Sequence, residues 1–340
     1  MKIFTRHLAV LSLSATLLLA GCNSNNNANR TDGGNTSASP SNATEATATP
    51  SADKLKVKTS FYPMYEFTRN VAGELADVEN LIPAGIEPHD WEPTPQDVAG
   101  ITDADVLIYN GAGMEGWVDQ VLNSVADDHL VVVEASRGLE IMDGFVEEEE
   151  HEEGEHANEE EGHDHGGLDP HVWLSPKLAI QEVRNIEEGL SKAAPEHAEV
   201  FKTNADAYVT KLETLDQEFS DGLKDLKRKD FITQHAAFGY LAKDYGLTQV
   251  PIAGLSPEQE PSAAQMAEVV EFAKEHDVKT IFFETLVSSS VAETIASEVG
   301  AKSSVLNPIE GLTEEDIANN LDYIAVMKQN LESLKTALNE

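Results

Sequence analysis

Four residues far apart in the chain have the types and settings to close around a metal ion: His89, His171, His235 and Glu310. His89 lies in Pro83-Ala84-Gly85-Ile86-Glu87-Pro88-His89-Asp90-Trp91-Glu92-Pro93, where three prolines stiffen the backbone enough to fix an imidazole's direction. His171 lies in Asp169-Pro170-His171-Val172-Trp173-Leu174-Ser175-Pro176, just ahead of a helix expected to begin near Pro176. His235 ends one short β-branched run, and Glu310 follows another in Asn307-Pro308-Ile309-Glu310-Gly311. Singly, a His near a strand end is more often a hydrogen-bonded structural residue, and a Glu before Gly a turn residue. Together, three neutral imidazoles and one carboxylate make a tetrahedral N₃O set, which zinc accepts at Zn–N distances of about 2.0–2.1 Å. With Glu310 coordinating, no position stays open for water or substrate. That favours binding an ion over hydrolysis.

Composition narrows the chemistry further. Cys22 is the only cysteine, so the chain has no internal disulfide and no second thiolate, and a transition metal must be held by nitrogen and oxygen. Glu284 ends the run 280–283 and points toward the same crevice, either orienting a ligand imidazole or serving as a helix-start residue. Trp91 and Trp173 flank the candidate ligands and would exclude water, or simply pack. His129, His197 and His276 read as ordinary residues without partners. A separate group, His151, His156, His163 and His165, lies in 147–167 among the acidic run from Glu148 to Glu161 and Asp164. That run has no apolar periodicity, so it reads as a mobile loop able to hold a metal weakly.

Around these residues, strand-like and helix-like segments alternate. Short β-branched runs at 57–61, 78–82, 106–109 and 130–133 are interleaved with helical patterns, and the rhythm returns at 231–233, 249–252, 280–283 and 304–306. Such βαβα order implies parallel sheets, with ligands in the crevice beyond the carboxyl ends of the strands. The fold expected is α/β: two lobes, each with a mainly parallel four-stranded sheet flanked by helices. Between them 195–227 reads as one long rigid helix, with Val200, Phe201, Ala205, Tyr208, Leu212, Leu215 and Phe219 at three- and four-residue spacings. The lobes are then 54–194, carrying the His/Glu-rich loop, and 228–340, closed by a helical pattern over 314–338.

The amino-terminal region is of a different kind. Lys2 and Arg6 precede a short apolar run over 8–20, too short to span a bilayer, so residues 1–21 read as a signal peptide. Leu19-Ala20-Gly21-Cys22 resembles a bacterial lipobox, which implies a lipidated Cys22 after cleavage. Residues 23–53 are almost wholly Asn, Ser, Thr, Ala, Gly and Pro and read as a flexible tether, so that with Cys22 the anchor region is 22–53. The formal net charge of −38 sets the surface against nucleic acid and anionic lipid and favours cations.

These motifs resemble the metal-binding solute-binding proteins of bacterial ABC importers, within them the zinc-uptake lipoproteins, and the likeness covers 54–340. It is carried by Phe61-Tyr62-Pro63, Pro88-His89-Asp90-Trp91-Glu92-Pro93, Asp169-Pro170-His171-Val172-Trp173-Leu174, Gln234-His235-Ala236-Ala237-Phe238-Gly239-Tyr240-Leu241 and Leu306-Asn307-Pro308-Ile309-Glu310-Gly311. The resemblance implies Zn²⁺ as cargo, delivery to a permease and its ATPase, and attachment at the outer face of the cytoplasmic membrane through Cys22. A monomer is expected. Manganese members typically place two carboxylates in the second lobe, so His235 with Glu310 tips the choice toward zinc. Two rivals stay open. A zinc hydrolase also uses three His and a Glu, though no His-Glu-x-x-His helix is present; a surface adhesin or zinc buffer would share every feature above.

Overall fold

The computed structural model describes residues 54–125, 129–144 and 167–340. Cys22, the signal peptide, the tether and the loop histidines His151, His156, His163 and His165 lie outside the described residues. The first lobe runs β1 (Leu55–Thr59), α1 (Tyr62–Ala72), β2 (Ala76–Asn80), α2 (Pro95–Thr102), β3 (Val106–Tyr109), α3 (Val118–Ser124), β4 (Val131–Glu134) and α4 (Pro176–Ala193). After α5 (Ala198–Leu223) come β5 (Asp230–Thr233), α6 (Gly239–Tyr245), β6 (Thr248–Pro251), α7 (Ala263–Glu275), β7 (Thr280–Phe283), α8 (Ser290–Val299), β8 (Lys302–Val305), α9 (Glu314–Ala318) and α10 (Tyr323–Ala337). The sheets have the orders β2-β1-β3-β4 and β6-β5-β7-β8, parallel throughout. This is the α/β architecture of two four-stranded sheets with a long helix that the periodicity implied.

Parallel strands are covered on both faces, so they read as continuous apolar runs. In β3, Val106 and Ile108 face a large central core while Leu107 packs outward with Ile101, Trp117 and Val121. In the second sheet, Phe231 and Phe282 face that same central core, and Ile232 and Ile281 face a separate cluster under α7 and α8. The central core therefore runs without a break from the inner face of one sheet to the inner face of the other. Helix α5 lies along it, burying Phe201, Ala205, Tyr208, Leu212, Leu215 and Phe219 against α4, α1 and α10. At 26 residues it is about 39 Å long.

Several boundaries differ from the sequence reading. The α-helix begins at Ala198, after a 3₁₀ turn over Pro195–His197, and ends at Leu223. Val200 falls off its apolar stripe and is 46% exposed. The closing pattern over 314–338 is two helices, because Asn320 takes φ +54 and two separate caps operate: Thr313 accepts from Asp316 N, and Asp322 from Ala325 N. Helix α2, unread in the sequence, opens on a Thr94/Asp97 capping box with Pro95 in its first turn. Among the described residues no helix is long and apolar enough to cross a membrane.

Candidate metal centre

Each of the four candidate residues stands beyond the carboxyl end of a parallel strand, where the topology gathers loops on one side of each sheet. His89 lies between β2 and α2, His171 just ahead of α4, His235 two residues past β5, and Glu310 between β8 and α9. Two come from each lobe, and all four are buried, with His171 and His235 wholly enclosed.

Their ligand atoms converge. Glu310 Oε1 is 3.3 Å from His89 Nε2, 3.5 Å from His171 Nε2 and 3.2 Å from His235 Nε2. His171 Nε2 is in turn 3.3 Å from both His89 Nε2 and His235 Nε2. A tetrahedron of donors at about 2.0–2.1 Å from a central ion has edges of about 3.3–3.4 Å. Five of its six edges are thus already in place, and the sixth is held below the 4.8 Å that bounds the whole group.

A carboxylate aims two of the three imidazoles. Glu284 directly follows β7, the strand beside β5, and its Oε1 lies 2.5 Å from His235 Nδ1. Asp169 Oδ1 lies 2.8 Å from His171 Nδ1 and also accepts the His171 backbone N–H at 3.0 Å. With Nδ1 donating to a carboxylate, Nε2 faces the cluster and offers its lone pair to a metal once no proton occupies it. Glu284 therefore stands where a partner that orients His235 would stand, one of the two roles its position allowed. Gly239 makes room for Asp169, because a Cβ there would stand 2.8 Å from Asp169 Oδ2. Glu87 accepts the His89 backbone N–H at 3.0 and 3.1 Å. Sequence reasoning named neither Glu87 nor Asp169 as part of the site. The signal was there: Glu87-Pro88-His89 and Asp169-Pro170-His171 repeat the same order, an acid folding back onto the backbone of a His two residues on.

Burial and charge divide the histidines. Burial brings His89 down to about 4 despite the pull of Glu310, so it is neutral and ready to donate. His235 feels the same burial, yet Glu284 and Glu310 together lift it well above its ordinary value. His171 is likewise raised against burial, by Asp169 and Glu310. Glu310, which burial alone would raise, is held well below the usual carboxylate range by the imidazoles, His235 foremost. Glu87 is pushed up to about 8 by burial and then by Glu310. An arriving cation meets an ionised carboxylate but must expel a proton from the imidazoles.

The Glu310 loop is clamped from two sides. Asn330 of α10 accepts from Asn307 N at 2.9 Å and donates to Asn307 O at 2.7 Å, and Asn307 Oδ1 accepts from Ile309 N at 2.7 Å. From the first lobe, Trp173 Nε1 donates to Pro308 O at 2.8 Å while its ring lies 5.2 Å from that of His171. Trp173 is fully buried and acts as a strut between lobes, whereas Trp91 packs edge-on against Trp117. These clamps hold Ile309 at φ +59, a conformation a β-branched residue rarely adopts, immediately before the carboxylate. His197 and His276, read as partnerless, pack against Phe201 and stack on Phe272, and His129 also has a partner. None of the three joins the cluster.

Comparison with known proteins gives a consistent set. Residues 57–337 match the family described as zinc-uptake complex component A, periplasmic. The chain is 51% identical over 296 residues to the high-affinity zinc uptake system protein ZnuA of Bacillus subtilis, covering 87% of this chain and 91% of that one. It is 48% identical over 282 residues to the zinc-binding lipoprotein AdcA of Streptococcus pneumoniae, covering 83% of this chain but only 55% of AdcA, so it spans little more than half of that protein. The Zn(II)-bound ZnuA-like domain of AdcA superposes with a TM-score of 0.71 at 44% identity, covering 84% of this chain and all of the domain. A laminin-binding protein of Streptococcus agalactiae, described as having adhesin and metal-transporting activity, superposes with a TM-score of 0.72 at 36% identity, covering 84% and 99%.

Proposed function

The chain belongs to the zinc-uptake complex component A family, and from that premise we propose that it captures Zn²⁺ outside the cytoplasmic membrane and hands it to an ABC-type permease and its ATPase for import. His89, His171, His235 and Glu310 are the proposed ligands. The observation that carries this is the set of five donor–donor edges between 3.2 and 3.5 Å, the spacing of a tetrahedral zinc shell. Three nitrogens to one oxygen favour Zn²⁺ over Mn²⁺, which prefers oxygen. A shell closed by four protein donors leaves no place for a reacting water, so we assign no catalytic role. The centre draws on both lobes, and the unbroken core with α5 and the Trp173 strut supports a small closure between them. The proposed organisation is a signal peptide over 1–21, a lipidated Cys22 with a tether to 53, lobes at 54–194 and 228–340, and a connecting stretch at 195–227 in a monomer.

Two measurements test this reading. His235→Ala should weaken Zn²⁺ binding at least tenfold in a competition titration, with Glu310→Ala losing less, because removing a ligand deletes a metal bond and admits water. Full affinity in His235→Ala would remove both the second-lobe assignment and the preference for zinc. A strain lacking the protein should grow poorly under zinc starvation and recover with excess zinc. Adhesion is the second reading, favoured by the laminin-binding structural relative. Saturable binding of the purified protein to laminin, with normal growth of the deletion strain, would establish it instead.

A further inference from the structure

The carboxylate that aims His171 is itself held from the opposite lobe. Asp169 ends a short antiparallel pairing in the first lobe, where Asp143 pairs with Leu168, Gly144 N donates to Gly167 O at 2.6 Å and Asp169 N donates to Met142 O at 2.9 Å. Two contacts tie this pairing to the second lobe. Tyr240, in the first turn of α6, donates its hydroxyl to Asp169 O at 2.8 Å and accepts from Met142 N at 2.8 Å, so one oxygen binds both sides of the pairing. Gly144 stands so near Leu255 that a Cβ there would lie 2.5 Å from Leu255 Cδ1.

Every polar group of Asp169 is thereby engaged or enclosed. Met142 and Tyr240 hold its N–H and C=O, and Oδ1 takes both the backbone N–H and Nδ1 of His171. Oδ2 faces Gly239, whose φ is one that any residue adopts, so the glycine there serves space rather than backbone freedom. Tyr240 is only 2% exposed, which leaves no water to replace its hydroxyl, and burial raises the phenol so that it stays a donor. A metal-ligating imidazole takes its direction from the partner of its far nitrogen. Moving Asp169 would therefore swing His171 Nε2 away from His89 and His235, each 3.3 Å from it.

Resting on the proposed ligand set, we infer that Gly239 and Tyr240 are positioning residues for metal binding: from the second lobe they seat Asp169, and through it they aim His171, a ligand of the first. Aiming of His171 then depends on contact between α6 and the segment 142–144.

The test measures Zn²⁺ affinity by chelator competition in the full chain for Tyr240→Phe, Gly239→Ala, Asp169→Ala and the double variant of Tyr240→Phe with Asp169→Ala. Tyr240→Phe keeps the ring and removes only the hydroxyl. It should weaken binding by about tenfold, the lower end of the loss that follows removal of an imidazole's partner, and Gly239→Ala should do the same by displacing Oδ2. In the double variant the Tyr240→Phe change should cost less than about twofold beyond Asp169→Ala, because residues acting through one carboxylate are not additive. With Co²⁺ in place of Zn²⁺, the visible bands, intense in a tetrahedral shell, should weaken in Tyr240→Phe as water enters beside a displaced ring. Parent-like affinity in both Tyr240→Phe and Gly239→Ala would overturn the inference. So would a Tyr240→Phe loss that adds in full to that of Asp169→Ala, since a general loosening of the fold weakens both backgrounds alike. Unaltered Co²⁺ bands beside weakened affinity would overturn it as well. Failure of the ligand set itself reads differently, as full affinity in His235→Ala.

Discussion

Glu284→Gln separates the charge of an orienting carboxylate from its hydrogen bond. The substitution keeps an oxygen able to accept from His235 Nδ1, 2.5 Å from Glu284 Oε1, but removes the negative charge. Both side chains are buried, so water cannot replace what is lost. Loss of such a partner typically weakens metal binding about 10–100-fold, or about 1.4–2.8 kcal/mol. Proton competition modifies this. Because Glu284 and Glu310 lift His235 well above its ordinary value, the metal-free protein holds a proton there at neutral pH that Zn²⁺ must displace. Each proton released steepens the rise of the binding constant by about tenfold per pH unit. In Glu284→Gln, burial pulls His235 down against Glu310 alone, so fewer protons are released and the slope flattens. The affinity deficit should therefore be largest at alkaline pH and shrink as the pH falls toward about 6, near the reference imidazole pKa. Chelator competition across that range measures the deficit, and calorimetry in two buffers of different ionisation enthalpy counts the protons. Equal affinities at the alkaline end, or an unchanged proton count, would refute the reasoning.

Phe219→Ala should destabilise the protein by about 3–5 kcal/mol in urea unfolding, since Phe219 is fully buried with its ring 5.2 Å from that of Tyr245. Cys22→Ser should leave zinc affinity intact and release the protein from the membrane or block its processing; persistent fatty-acid labelling of the variant would count against lipidation. Deleting 147–167 should remove weak zinc sites while sparing the tight one, because its His151, His156, His163 and His165 are distinct from the four proposed ligands. Calorimetry decides that last case, since loss of the tight phase would place a primary ligand in the deleted stretch.

Much of the protein was legible because the signals are local. The apolar runs of β3 and β7 and the three- and four-residue spacing along α5 each record one element's burial, and burial leaves its period in the residues themselves. The same holds for His89, His171 and Glu310, each set near a proline, and for His235, set just past a strand. Boundaries were less legible where caps compete with periodicity. The apolar positions over 314–338 continue through Asn319 and Asn320, yet the Thr313 and Asp322 caps and the turn at Asn320 divide them into α9 and α10.

Periodicity and residue chemistry are properties of the chain, so the α/β class, the two sheets and the long helix can be read from it, together with the candidate donors. The distances between those donors cannot. That Glu310 Oε1 stands 3.2–3.5 Å from three imidazole nitrogens depends on two sheets sharing one core, a relation between residues as much as 221 positions apart. Likewise, Glu284 became the partner of His235 rather than a helix-start residue only because β5 and β7 lie side by side. Strand order is set by which apolar faces pack together, and no single segment carries that information.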